Sequence, residues 1–299
     1  LTRRDICLIG VPTNSAGKPN GVAGAPAALR RAGILKALRK RNEVHDDGDL
    51  SFHRPTTSKR DAHSVVVGHG SLVSMIRSVR ASVSHALQQN EFPVVIGGDC
   101  PILLGCLAGS VQTFGPIGLF FVDGHEDAYL PHQSPTGEAA DMDLGFALGV
   151  EVPPLIQKAI GDSLLSPNLV CMLGPSDKRI LQNANVKSLA DRSITYYDDV
   201  TLRRADIAVL TRRLTRQLAS KVSRLWLHID LDVLSTRSLP AVDYQQPGGL
   251  NWSQLEKVTK TILTSGNVVG LNLTIYNPDL DPDKGFASRI VRYMQNVLS

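Results

Sequence analysis

The sequence predicts an α/β fold built on a parallel sheet of roughly eight strands with helices on both faces. Three observations carry this. Short runs rich in Val, Ile, Leu and Phe alternate with longer stretches whose apolar residues recur at helical spacing, the pattern of strand–helix–strand units. The central β-rich runs are apolar almost throughout, as strands buried on both sides must be. Hydrophobic residues make up 42% of the 299 and aromatics only 5%, so a sizeable core must be filled mainly by Val, Leu, Ile and Ala.

The elements follow in order. "DICLIG" (5–10) is the first strand; Gly-Val-Pro ends its short apolar run, which therefore reads as a strand and not as a secretory signal. A helix is expected at 26–39, then the strand "EVHDDGD" (43–49) and a helix at 71–89. "PVVIGGD" (93–99) comes next, where Gly97 and Gly98 permit a tight turn into a helix at 101–109. "IGLFFVD" (117–123), a helix at 140–149, "LVCMLG" (169–174), a helix at 177–184 and "ITYYD" (194–198) continue the alternation. A helix at 204–220 leads to "RLWLHID" (224–230). Asn251, with Gln254 three residues on, is a capping box opening a helix at 251–264. "VVGLNLT" (268–274) and a helix at 284–297 close the series. The Pro/Gly-containing pieces at 131–137 and 235–249 read as long functional loops. No repeat, low-complexity tract or linker interrupts the pattern, so residues 1–299 are expected to form a single domain.

Charge and cysteine usage narrow the function classes. The net charge is +4, and the basic stretches at 30–41 and 203–217 carry apolar residues at helical spacing, as solvated faces of amphipathic helices do. Neither basic–aromatic interleaving nor zinc-finger spacing is present, so no nucleic-acid partner is expected. No apolar run reaches the roughly 18–20 residues of a membrane span. Cys7, Cys100, Cys106 and Cys171 lack framework spacing, which fits reduced thiols in the cytoplasm.

Ligands of such sheets bind outside the carboxyl ends of strands, and three of these ends are unusual. In "GLFFVDGHEDAYLP" (118–131) an apolar strand runs into Asp123, His125 and Asp127. Residues two apart in extended chain point the same way, so the three can converge on a divalent ion of the Mn-to-Zn series. "RLWLHIDLDVL" (224–234) repeats the device with Asp230 and Asp232. Either pattern alone also fits solvated or capping acids; the pair in one sheet favours a cation, because clustered carboxylates repel without one. In "VVIGGDCPILLG" (94–105), Asp99 is placed to cap the next helix, and Cys100 is either a thiolate ligand or an inert buried thiol.

These three stretches resemble the metal-binding signatures of the arginase/agmatinase/formiminoglutamase (ureohydrolase) superfamily. The resemblance extends to "IGVPTNSAGKPNGVAGAPAALRRAGI" (9–34), "DDGDL" (46–50), "PAVDYQQPGGL" (240–250) and "GLNLTIYNPDLD" (270–281), and so to nearly the whole chain. It implies a three-layer α/β/α sandwich, a binuclear manganese centre, and trimeric or hexameric assembly. Transferred by motif, Asp123 and Asp230 are bridging carboxylates, Asp127 belongs to one ion, and His125 and Asp232 to the other. The implied reaction is hydrolysis of a linear, non-peptide C–N bond in a small guanidino, amidino or formimino molecule, by water that the metal activates.

The departures from that pattern bear on the chemistry. Cys100 stands where the family has a histidine ligand; as a thiolate it favours zinc, and as a thiol it leaves a single ion held by Asp123, His125 and Asp230, a set similar to the mononuclear zinc centre of the fold-related histone deacetylases. The histidine that arginases carry after a Ser-Gly is missing from "SPTGEAADMDLG" (134–145), leaving Glu138 and Asp141 as the nearest groups for proton transfer; Asp141 also fits a helix cap. His132 reads as a loop residue. Ile275 replaces the glutamate before Asn-Pro, and its neighbours Thr274 and Tyr276 offer only neutral substrate contacts, which argues against arginine or agmatine. His228, two residues before Asp230, is an extra ligand, a proton carrier or a hydrogen-bonded core histidine. Asp243 and Tyr244 lie in the loop after the double-Asp motif as candidate substrate contacts. The lost histidine and glutamate also fit a catalytically silent relative that only binds a small molecule.

Overall fold

The apolar runs become the strands of one sheet. The computed structural model describes residues 4–53, 57–161 and 163–299. Its strands are β1 Asp5–Val11, β2 Glu43–Asp49, β3 Phe92–Gly97, β4 Gly118–Val122, β5 Val170–Leu173, β6 Thr195–Tyr197, β7 Leu225–Asp230 and β8 Val268–Thr274. All pair in parallel, in the order β2-β1-β3-β8-β7-β4-β5-β6. Every residue of β3, β4, β5 and β7 is buried, which is why their sequences show no polar alternation.

The helices are α1 Ala25–Arg31, α2 Ile34–Leu38, α3 His69–Gln88, α4 Ile102–Phe114, α5 Asp143–Ala147, α6 Pro154–Ile160, α7 Lys178–Asn183, α8 Asp199–Arg204, α9 Ile207–Ala219, α10 Trp252–Leu263 and α11 Gly285–Val297. Successive strand residues point to opposite faces. Ile6 and Leu8 therefore join a core with α1, α2, α9, α10 and α11, while Cys7, Ile9 and Val11 join one with α3, α4, α5 and α6. The result is the three-layer α/β/α architecture.

Some helices differ from the sequence expectation. The stretch 26–39 is two helices, because Gly33 adopts φ +91° between them. The stretch 140–149 is a 3-10 turn, Ala139–Asp141, followed by the short α5. The helix expected at 204–220 starts at Ile207, after a separate α8; Asp198 and Asp206 each cap a helix and so divide the segment. The α6 segment, behind Pro153 and Pro154, was not expected as a helix. The Asn251–Gln254 capping box is present.

The sheet order brings β3, β8, β7 and β4 side by side. The chain reaches these strands far apart in sequence, yet their carboxyl ends meet at the centre of one sheet edge, where ligands of open α/β sheets bind. Among the described residues, no helix is long and apolar enough to cross a membrane.

Candidate metal centre

Register builds the centre. Val122 of β4 lies beside Ile229 of β7, so Asp123 and Asp230 leave the sheet as neighbours. Asp230 lies beside Thr274 of β8, whose Oγ1 donates to Asp230 Oδ2 at 2.8 Å. After β3 the backbone turns tightly at Gly98, where a Cβ would sit 1.9 Å from the Thr13 carbonyl oxygen. This turn delivers Cys100, whose Sγ donates to Asp230 Oδ2 at 2.7 Å. Asp99 does not cap α4; it accepts from the Ser15 N–H at 2.8 Å, the Ser15 hydroxyl and the Cys100 N–H.

Beyond β4 the chain wraps back on itself. The His125 N–H donates to Asp123 Oδ1 at 2.8 Å, and His125 Nδ1 lies 2.9 Å from Asp232 Oδ2. Gly124 N–H holds Asp232 Oδ1 at 3.0 Å, and Asp232 N–H donates to Asp230 Oδ1 at 2.8 Å. Two candidate ligand sets result. Donor atoms of Cys100, Asp123 and Asp230 lie within 4.8 Å of one another, as do those of Asp123, His125 and Asp232. Asp123 belongs to both. Asp127 shares their cavity, with its buried Oδ2 unpartnered.

The electrostatics fit a cation. Burial, then Asp230, pushes the Asp123 carboxyl well above its ordinary range. Burial, then Asp123, does the same to Asp127. Burial and Asp232 lift Asp230 to about 7. Burial opposes charge on His125, yet Asp232 and Asp123 outweigh it and raise the imidazole to about 10. Without a metal, the site holds carboxylic acids and an imidazolium; a divalent ion stabilises the ionised acids and takes the imidazole lone pair. The buried carboxylates and His125 thus fit a divalent ion of the kind the family implies, while the Cys100 sulfur departs from it.

His228 sits behind this floor, fully buried and stacked on Phe121 with ring centroids 4.6 Å apart. Trp226 Nε1–H donates to Asn272 Oδ1 at 2.8 Å, which turns the Asn272 amide N–H to His228 Nδ1 at 2.6 Å. The ring proton is thereby assigned to Nε2, which donates to Asp123 Oδ2 at 3.2 Å. Burial lowers the His228 pKa and keeps this neutral tautomer. Asp143, on α5, is also fully buried, facing Asp127 and His228; burial lifts it to about 8.

The floor opens into a cavity of about 160 Å³. Among the described residues its lining includes Asp123, Asp127, Asp141, Asp177 and Asp232 and no lysine or arginine. Asp141 Oδ2 accepts from Thr136 at 2.6 Å and also from Ser134. Glu138 lies behind the wall, where Tyr244 Oη donates to it at 2.7 Å; burial raises it to about 7 despite that bond. Tyr244 lines the cavity. Asp243 faces a separate surface hollow and accepts from Asn277 at 2.6 Å. Thr274 is buried on Asp230, and Tyr276 is buried with its hydroxyl on Asp281 at 2.8 Å, so neither side chain reaches the cavity wall. His132 lies outside, paired with Glu151 at 3.3 Å. Three lining residues, Asp127 (φ +46°), Tyr244 (φ +54°) and Ile275 (φ +69°), hold left-handed backbone that non-glycine residues rarely adopt, the kind of strain that gathers at functional sites.

Sequence reasoning missed Asp177, Gln246, Asn272 and Asp143. Asp177 follows β5, so the strand-end rule points to it; its Oδ2 accepts from Glu126 N–H at 3.1 Å, Oδ1 is buried and unpartnered, and burial raises it to about 6. Gln246 sits in the 235–249 loop, with its amide nitrogen 2.9 Å from His125 Nε2.

Comparison with known proteins establishes the family and the fold. The arginase family model matches residues 4–298. The arginase of Bacillus caldovelox is 26% identical over 298 residues, covering 98% of each chain. Its native structure superposes with a TM-score of 0.87 at 24% identity, over 99% of this chain and 98% of that one. Formimidoylglutamase from Bacillus subtilis subsp. subtilis str. 168 gives 0.76 at 18% identity, over 100% of this chain and 87% of that one. With the family match spanning nearly every residue, the chain belongs to the arginase family.

Proposed function

We propose that this arginase-family hydrolase cleaves a linear, non-peptide C–N bond of guanidino, amidino or formimino type at a divalent-metal centre. One observation carries the reading: two candidate ligand sets share Asp123 at the floor of a cavity where, among the described residues, five carboxylates and His125 line the wall without a lysine or arginine. In this reading Asp123, His125 and Asp232 hold an ion of manganese type, with Asp127 beside it. Cys100, Asp123 and Asp230 form the second, sulfur-containing place, which favours zinc. A bound divalent ion supplies Lewis acidity that brings the ionisation of water close to neutral pH.

The chain's own groups do the rest. Gly124 N–H and Asp232 N–H aim the carboxylates, and His228 holds the outer oxygen of Asp123. Asp177, poised near pH 6 with a free buried oxygen, accepts a substrate N–H and carries a proton to the leaving amine. Ile275 gives an apolar wall where a carboxylate would clamp a guanidinium, which within that class argues against arginine and agmatine. Four buried free thiols support a reducing, cytoplasmic setting, and the family resemblance supports a trimer or hexamer of this chain.

A mononuclear reading rests on Cys100. Burial, then Asp230 and Asp99, pushes its thiol well above the ordinary range, and the thiol–Asp230 pair is already satisfied. Metal stoichiometry separates the readings: about one ion per chain favours the mononuclear centre. Release of urea, ammonia or formamide from small guanidino and formimino compounds, at known metal loading, tests the activity. Metal-dependent turnover abolished by Asp232→Asn is expected. No turnover of any such compound by metal-loaded protein identifies a silent binding relative instead.

A further inference from the structure

We infer that Cys7, His45 and Asp47 form a separate transition-metal site of zinc class, toward the opposite end of the strands from the centre described above. Cys7 of β1 pairs in register with His45 of the edge strand β2. One step on, the register shifts: Leu8 pairs with Asp46 and Ile9 with Gly48. Asp47 is the residue skipped, and a bulge of this kind re-aims a side chain. Donor atoms of Cys7, His45 and Asp47 consequently lie within 4.8 Å of one another.

The surroundings are arranged as a metal site requires. The Cys7 thiol is buried at 1% exposure beneath a His45 side chain that is 63% exposed. His45 Nε2 lies 3.5 Å from Asp47 Oδ1, while Nδ1 lies 3.5 Å from Glu91 Oε1. With Nε2 given to an ion, Glu91 accepts from Nδ1–H, the carboxylate–histidine arrangement that fixes ligand tautomers. Asp47 Oδ2 is held by the Ser82 hydroxyl of α3 at 3.3 Å, leaving Oδ1 on the His45 side. Asp5 and Glu91 border the adjoining hollow, together with His85.

Thiolate, imidazole and carboxylate together suit zinc over manganese or magnesium, and three protein ligands leave the fourth position to solvent. Burial, then Asp47 and Glu91, raises the Cys7 thiol far above its usual range; a cation reverses that cost. The ion would clamp edge strand β2 to β1 and, through Ser82 and Glu91, to α3 and the start of β3.

Cobalt(II) titration of the full chain carrying Asp123→Asn tests this, because that change removes the residue common to both strand-end ligand sets. One equivalent of cobalt with a thiolate-to-metal charge-transfer band is expected. Cys7→Ser abolishes the band. His45→Gln, at an exposed position that leaves the core intact, lowers affinity by about 10- to 100-fold or more, and Cys100→Ser leaves the band in place. The inference is overturned by absence of any thiolate band, by a band that survives both Cys7→Ser and His45→Gln, or by one lost with Cys100→Ser.

Discussion

Asp123 accepts from the His125 N–H on one oxygen and from His228 on the other, and it belongs to both ligand sets. Its orientation therefore depends in part on His228, which never reaches the cavity. Asn272→Ala leaves the buried Trp226 N–H and His228 Nδ1 unpaired, and each such group costs about 1–3 kcal/mol. Lost tautomer control should also weaken manganese binding by about 10- to 100-fold. Denaturant unfolding and metal titration of that variant measure both effects. Cys100→His exchanges the soft donor for an imidazole, and the expected result is a rise from about one bound manganese per chain to two, read by metal analysis after gel filtration. Asp123, His125, Asp127, Asp230 and Asp232 were marked out in the sequence by their spacing after two strands, but the strands stop at Val122 and Asp230, and turns rather than continued extension bring the later residues to the site. The Trp226–Asn272–His228 chain was not legible, because it exists only through the register of β7 against β8.

Elements position these residues through close backbone approach. Gly98→Ala puts a methyl group 1.9 Å from the Thr13 carbonyl and 3.0 Å from that of Val22. Both are backbone atoms, so the turn must shift. The expected cost is about 1–3 kcal/mol, typical of forced overpacking, together with displacement of Cys100, seen as a lower denaturation midpoint and altered cobalt spectra. The strands were legible because apolar runs bounded by Gly, Pro and acids need no tertiary context to be recognised. The helices were less so. Gly33 splits one that periodicity alone joins, and α6 and α8 are only 7 and 6 residues long, below the length at which a 3.6-residue period is readable. Asp177, at the end of β5, was within reach of the strand-end rule but lacks an alternating partner acid to draw notice.

At the scale of the molecule, the centre sets how stability varies with pH. Asp230 has a folded pKa of about 7 against an ordinary 3.8, so between these values the folded chain binds more protons than the unfolded one. Metal-free protein therefore loses stability as pH rises through that window. His125, raised from 6.5 to about 10, contributes stability that is complete below 6.5 and is lost as pH rises through 10. A divalent ion needs the deprotonated ligands, so its stabilisation grows over the same range. Thermal unfolding with and without metal should show a shift of about 5 °C or more near pH 8, on the order expected for ligand at 100 times its Kd, and a smaller one near pH 5.5. A shift that is constant or larger at acid pH contradicts this assignment of ligands.

Manganese titration of the wild-type chain against Asp123→Asn bears most directly on the idea that these strand ends exist to gather a cation. Tight binding of at least one ion per chain in the wild type, with none in the variant, is the expected result. A wild-type chain that binds no manganese, or a variant that binds it equally well, would show that the acids and imidazole at these tips serve some other purpose.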